Sequence, residues 1–471
     1  MQYRLLFTQG RAPLSLAMLL SLSMVSLDVL LINTAMPSLL KDLGGLPFYS
    51  WTLGAYSLGN FAMLPIFSVL VSKWGGRISL SIASVFFALG ALIGTQSPSM
   101  EWIFVARLLM GFGGGGFLAI PFGLINRHFS HQLKPIAIGA LSSVWALAAL
   151  GGPALGGLIL EKLGWRWIFG LHLPLTLGLW LLSLIALKKE GPPESPQSKV
   201  NYLSSLIFAS LSALLLYFFD TDHIAWPAFL AFPLLLVFFY FWEKNHTNPV
   251  LPIKYWKQSK HLRKVFLAMA LSALAFGGAE GYLPLSLQGI WGYSPLEAGL
   301  ILTTGSLSWS STALLLPKFY GNRLRSPSQW GTLCLLVSML LLILVHHLDL
   351  SGWSVYLSFL LSGLGMGLIV PTYNTLALDE SSQENESAKG SMLLAMTWGF
   401  SLGPPLVGLA AQIGFGQSFQ AQDLNTGSLS NQALQALSQG LQFALMVSTV
   451  LLLLSLALIW TLPKNRQAST H

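Results

Sequence analysis

The 471-residue sequence predicts an all-α integral membrane protein: two pseudo-symmetric six-helix bundles with two further helices inserted between them. Three observations predict it: a composition too apolar for a soluble domain, a series of runs long enough to cross a bilayer, and an internal repeat. Hydrophobic residues make up 54% of the chain and charged residues 9%, where an ordinary soluble domain carries about 25% charged residues. A membrane-spanning helix needs roughly 20 predominantly apolar residues. Fourteen segments meet that requirement: 14–39, 50–71, 78–95, 102–125, 135–160, 167–187, 203–219, 226–242, 265–287, 295–316, 331–347, 353–377, 390–413 and 437–462.

Segment 1 follows Arg4 and Arg11, as a cleaved signal would. It is too long for a signal core of about 7–15 residues, and similar runs follow, so it reads as a retained helix. The connections between later segments are short, which leaves no room for a soluble domain. With the N-terminus inside, the cytoplasmic stretches hold 21 of the 25 Lys and Arg residues. The outer loops hold Lys41, Lys162 and Arg166, and Arg107 lies within segment 4. That bias predicts an N-in, C-in topology. The single cysteine, Cys334, excludes an intramolecular disulfide.

The repeat pairs segments eight apart. "GGGGFLAIP", ending at Pro121 in segment 4, returns as "GLGMGLIVP", ending at Pro371 in segment 12. "GGPALGG" (Gly151 to Gly157) in segment 5 returns as "GPPLVG" (Gly403 to Gly408) in segment 13, and "KWGGR" after segment 2 as "FYGNR" after segment 10. The offsets are 250, 251 and 246 residues. Residues 1–190 therefore form an N-terminal bundle, 191–262 an inserted helix pair with a cytoplasmic linker, and 263–471 a C-terminal bundle. Internal repeats of this kind are a mark of transporters.

The same offset links two acids. Asp28 lies near the middle of segment 1, and Glu280 lies in segment 9, close to the pseudo-equivalent position. A charged side chain at the bilayer centre costs roughly 2.5–3.5 kcal/mol on insertion scales, so both acids are expected to face a cavity or a partner. Arg107 reads either as their buried counter-charge or as a residue snorkelling to the outer interface. Asn33, Gln288 and Asn374 read either as cavity-lining groups or as interhelical hydrogen-bonding groups. Trp145 and Trp398, in segments 5 and 13, are expected to contact a ligand, while most other aromatics read as lipid-facing or interfacial. Gly152, Pro153, Gly156 and Gly157, with Gly403 and Pro404 in the repeat, are expected to bend their helices and let them slide against neighbours.

Several motifs carry no chemistry. Gly111 to Gly116 fits G-x-G-x-x-G, but no strand precedes it and it sits inside an apolar span, so it reads as a close-packing surface. Gly399 to Gly403 fits G-x-S-x-G without the strand-turn-helix context of a hydrolase. No phosphate-binding loop, metal cluster or nucleic-acid signature is present. His346 and His347 read as solvated at a helix end.

Essentially the whole chain resembles the major facilitator superfamily, in its fourteen-helix drug:proton antiporter branch. "LDVLLINTAMP" is similar to the branch's first-helix signature at Asp28, Asn33, Ala35 and Pro37. "RLLMGFGGGG" resembles the fourth-helix motif at Arg107 and Gly111, and "GGPALGG" the antiporter motif at Gly152, Pro153, Gly156 and Gly157. "WRWIFGLHLP" and "EKNHTNPVLPIKYW" resemble further landmarks, and Lys73, Gly75 and Arg77 fit the loop after the second helix. Four positions depart from the pattern. Ser68 and Ser72 stand where a glycine and an aspartate are usual, Met110 where a glutamine is common, and His172 where an asparagine is common.

The resemblance implies a proton-coupled antiporter that exports lipophilic or cationic compounds by alternating access. It would use no cofactor, would be driven by the proton motive force, and would sit as a monomer in a bacterial cytoplasmic (inner) membrane, compatible with a periplasmic adaptor. Asp28, Glu280 and Arg107 would couple protons. Asp28, Asn33, Glu280, Gln288, Asn374, Trp145 and Trp398 would meet substrate, and Lys73, Gly75 and Arg77 would act with the glycine-proline motifs as gates. A dedicated exporter of a lipid, siderophore or metabolite on the same fold is the alternative. A membrane receptor or scaffold would need no matched buried acids.

Overall fold

The computed structural model describes residues 2–462 apart from positions 9, 46, 131, 349 and 351 and the segments 189–202, 205, 208–209, 212–213, 215–225, 247–259, 321–324, 381–385 and 416–430. Every regular element among them is helical. A short 3₁₀ turn, Gln2–Phe7, precedes α1 (Ala12–Leu43), α2 (Pro47–Gln96), α3 (Met100–His128), α4 (Lys134–Leu163), α5 (Arg166–Gly170) and α6 (His172–Ala186). Then come α7 (Trp226–Asn245), α8 (Lys260–Leu285) with a π turn at Ser286–Ile290, α9 (Pro295–Tyr320), α10 (Arg325–His347), α11 (Trp353–Glu380), α12 (Glu386–Phe415) and α13 (Asn431–Trp460).

Among the described residues ten helices are long and apolar enough to cross a membrane. One of them, α2, holds both expected segments 2 and 3: the helix breaks at Gly75, whose φ of 81° and ψ of 169° only glycine adopts readily. Segment 7 falls mostly outside the described residues, as do the linker 191–200, most of "EKNHTNPVLPIKYW" and the last residues of "FYGNR".

The chain resolves into two compact units. Unit 1 contains the described residues up to Phe239 together with Leu283–Thr303 and 431–434; unit 2 contains those of Tyr240–Tyr282, Thr304–Gly416 and 435–462. In unit 1, α3 lies between the two limbs of α2, and its glycines are the reason it fits. A Cβ at Gly115 would sit 2.6 Å from the Asn60 carbonyl on the first limb, and one at Gly113 2.5 Å from the Ala83 carbonyl on the second. The run "GGGG" is thus a two-sided packing surface, as small residues in membrane helices allow. Pro121 cannot donate to the Phe117 carbonyl four residues back, and Ser21 on α1 donates its hydroxyl to that oxygen at 3.3 Å.

Unit 2 repeats the device. In "GLGMGLIVP", a Cβ at Gly365 would lie 2.7 Å from the Gly331 carbonyl of α10, and one at Gly367 2.7 Å from the Trp309 carbonyl of α9. The two repeat motifs therefore do the same structural work, each letting one helix approach two neighbours. Buried hydroxyls add hydrogen bonds in unit 2: Ser272 and Ser455 lie 2.9 Å apart, and Ser338 donates to the Ser358 carbonyl at 2.7 Å. The solvated reading of the histidine pair holds for His347, which is exposed. It fails for His346, which is 8% exposed and has Nδ1 2.8 Å from the Leu342 carbonyl, because its helical position turns the ring inward.

Candidate functional site

Asp28 on α1 and Arg107 on α3 meet inside unit 1. Arg107 Nη1 donates to both carboxylate oxygens, at 2.8 Å to Oδ1 and 2.6 Å to Oδ2, and the side chains are 2% and 1% exposed. Neither charge would be tolerated alone at that depth, and each is the other's compensation. The guanidinium lies 4.5 Å from the centroid of the Tyr56 ring on the first limb of α2, a cation–π contact on its free face. Gly114 makes the room: a Cβ there would collide with the Tyr56 hydroxyl.

His172 opens α6 and is fully buried, its ring 5.5 Å from that of Phe87 and within electrostatic reach of both Asp28 and Arg107. Its Nδ1 lies 2.8 Å from the Ile168 carbonyl. Asp28, as placed, presents no open face to a ligand in this conformation, because the pair occupies it and the surrounding helices cover it.

Glu280 differs. It lies on α8 in unit 2, half-buried, and makes no hydrogen bond or ion pair among the described residues. Pro284, four residues on, cannot donate to the Glu280 carbonyl, and the π turn follows directly. One turn before it, Phe276 makes edge contacts with Trp309 and Phe400, whose rings stack at 12°. Nothing in the sequence spacing linked those three aromatics, which come from α8, α9 and α12.

The other expected residues are spread. Gln288 is half-buried and donates from Nε2 to the Thr34 carbonyl at 3.1 Å, an interhelical bond within unit 1. Asn33 and Trp398 are half-buried, and Asn374 is exposed. Trp145 is 40% exposed. Lys73 and Arg77 are exposed on either side of the buried Gly75.

The α4 motif packs on two helices. Gly152 and Gly156 face α1, where a Cβ would lie 2.9 Å from the Leu30 side chain and 3.1 Å from that of Leu31. Gly157 faces the start of α9, where Leu296 N also donates to Glu161 Oε1 at 3.2 Å. Gly403, in the repeat, packs in the same way on α8, with a Cβ 2.5 Å from the Leu274 carbonyl. The motifs thus bring α4 against the helix that bears Asp28 and α12 against the helix that bears Glu280.

Sequence reasoning missed Tyr56, whose ring meets the Arg107 guanidinium, and the buried Thr52 and Asn60, one turn to either side of it on α2. Their spacing of four was the available signal. No group of three metal-ligating side chains exists among the described residues.

The Major Facilitator Superfamily family model matches residues 18–404. The multidrug transporter protein MdtP of Bacillus subtilis is 28% identical over 387 residues, covering 80% of this chain and 70% of that protein. The efflux pump dotC of Dothistroma septosporum is 26% identical, covering 80% and 66%. The multidrug efflux pump SdrM of Staphylococcus aureus is 26% identical, covering 62% and 66%. Among solved structures, a bacterial homologue of the human lysosomal transporter Spinster, in an inward-facing and unoccupied conformation, superposes with a TM-score of 0.69 at 14% identity, covering 96% of this chain and 97% of that one.

Proposed function

The chain belongs to the Major Facilitator Superfamily, and from that premise we propose that it is a proton-coupled antiporter exporting lipophilic or cationic compounds by alternating access. The relatives named as multidrug transporters and efflux pumps support export of small molecules. The observation that carries proton coupling is the buried Asp28 and Arg107 pair, 2.6 Å apart. Protonating Asp28 removes the negative charge that holds Arg107, so a single proton changes the electrostatics of three packed helices. Deprotonation restores the pair.

The division of labour follows from burial. Asp28 handles the proton, with Arg107 as its counter-charge, while Glu280, half-buried and without a partner among the described residues, is the acid available to a substrate cation. One charge crossing a potential of 100 mV supplies about 2.3 kcal/mol to the cycle. The glycine-proline motifs of α4 and α12 lie directly on the helices that bear the two acids, which is where a change in either acid's charge would be transmitted. We also propose the fourteen-span, N-in arrangement, a monomer, and a bacterial cytoplasmic membrane; the charge bias of the loops supports the orientation.

The test is substrate-induced proton release from detergent-solubilised protein. Wild type releases protons on addition of a lipophilic cation such as ethidium. Asp28→Asn abolishes the release, and Glu280→Gln weakens ethidium binding. If both variants behave as wild type, the coupling assignment is wrong. The second reading, a dedicated exporter, is favoured by one relative, a transporter of the acurin A biosynthesis cluster in Aspergillus aculeatus, 25% identical over 367 residues. Efflux competition with a panel of cations and neutral lipophiles separates the two, because a dedicated exporter responds to a single chemical type.

A further inference from the structure

Around the Asp28 and Arg107 pair, unit 1 holds more buried hydrogen-bonding capacity than it uses. Thr52, Tyr56 and Asn60 recur at every fourth residue of the first α2 limb, so they share one face. At 1.5 Å per residue the stripe is about 12 Å long. The three are 0%, 3% and 3% exposed; Thr52 Oγ1 has no hydrogen-bond partner among the described residues, and the Tyr56 hydroxyl and the Asn60 side chain have only each other within reach. Arg107 Nε and His172 Nε2 are equally unpartnered.

Buried polar atoms in folded proteins are almost always satisfied, and exceptions point to bridging water or to function. Here the set is complementary: the hydroxyls of Thr52 and Tyr56 and the Arg107 Nε–H donate, while Asn60 Oδ1 and His172 Nε2 accept. A bridging water needs two to four polar partners, and donors and acceptors of both kinds are present in this set.

His172 is placed to take a proton. Its Nδ1 faces the Ile168 carbonyl, which only accepts, so Nδ1 carries the hydrogen and Nε2 the lone pair. The charged groups that face it are Asp28 from α1 and Arg107 from α3. The second limb of α2 presents the Phe87 ring, and α5 the Ile168 carbonyl. The asparagine common at this position in the family has no comparable basicity. A metal ion is disfavoured by the guanidinium.

We propose that the N-terminal bundle contains an internal hydrated proton relay, formed by Thr52, Tyr56, Asn60 and Arg107, in which His172 Nε2 is a second proton-binding site beside Asp28. The proposal rests on the proton-coupled reading above. A proton passed along bridging water forms the Nε2–H bond as a water O–H bond breaks. The resulting imidazolium keeps its Nδ1–H on Ile168 and shares the Asp28 carboxylate with Arg107, so the cluster carries one net positive charge. When the Nε2–H bond breaks and an Oδ–H bond forms on Asp28, the carboxylate is neutralised, Arg107 loses its ionic partner, and the net charge of the cluster is unchanged.

The experiment is an infrared pH titration of the full-length protein in lipid nanodiscs, with the Asp28 carboxyl band assigned by Asp28→Asn. Wild type shows that band titrating in two coupled steps. His172→Asn, which installs the residue common in the family, leaves one step and moves the midpoint by roughly one pH unit. In proteoliposomes, Thr52→Val and Tyr56→Phe, which remove single hydroxyls at nearly constant shape, slow ethidium-linked proton uptake by about tenfold or more, while ethidium affinity stays within about twofold. A His172→Asn titration superimposable on wild type overturns the proposal. If Asp28→Asn itself leaves proton countertransport intact, the antiport reading fails instead, and the infrared result still decides whether His172 and Asp28 share a proton.

Discussion

Asp28 and Arg107 stand out in the sequence because each is a charge inside an apolar run, and the resemblance gave each a role. That they bond to each other, with one nitrogen spanning both carboxylate oxygens, is a property of how α1 and α3 cross. Arg107→Ala leaves a buried carboxylate uncompensated and is expected to cost about 3–5 kcal/mol of stability. Thermal unfolding of the purified protein reads this as a lower midpoint. Combining it with Asp28→Asn removes the stranded charge, so the double variant is expected to unfold at a higher temperature than Arg107→Ala alone, the non-additivity typical of residues in direct contact. The spacing of Thr52, Tyr56 and Asn60 was visible in the sequence, but their significance was not. A hydroxyl, a phenol and an amide are unremarkable in a membrane helix until a structure shows that they share a face with a buried ion pair.

Helices were legible as elements because lipid requires each span to satisfy its own backbone. The glycine runs were legible as packing surfaces, but which neighbour each glycine meets was not. Gly115→Val drives two methyl groups toward the Asn60 carbonyl, 2.6 Å from where a Cβ would already sit. Overpacking of that kind is expected to cost about 1–3 kcal/mol, with less folded protein recovered from the membrane. Gly178 in α6 is the control: nothing lies within 4 Å of its Cβ position, so Gly178→Ala is expected to be neutral or slightly stabilising in the same assay. Gly152 lies between these extremes. The nearest atoms to a Cβ there belong to the Leu30 side chain, from 2.9 Å, and not to backbone, so Gly152→Ala is expected to leave folding intact and slow transport, measured as a lower efflux rate at unchanged binding.

For the whole molecule, the proton-coupled antiport proposed above predicts that dye efflux from cells stops when a protonophore collapses the proton gradient. The fourteen-span arrangement predicts that Asp222, between segments 7 and 8, is reached from outside the cell. On a Cys334→Ser background, Asp222→Cys is expected to react with a membrane-impermeant maleimide in intact cells, while Ser195→Cys and Asn248→Cys react only after the membrane is opened. Labelling of position 222 from the inside would remove the inserted pair from the topology.

Composition, segment length, charge bias and the 250-residue repeat were enough by themselves to predict a helical membrane protein with two related halves, because a bilayer imposes strict rules on length and polarity. Tertiary structure alone decided that one of the two acids is sealed against an arginine while the other has no partner among the described residues, and that a buried stripe of neutral polar groups meets that arginine through Tyr56. Pairing depends on where packed helices cross, and a linear spacing of residues does not carry that information.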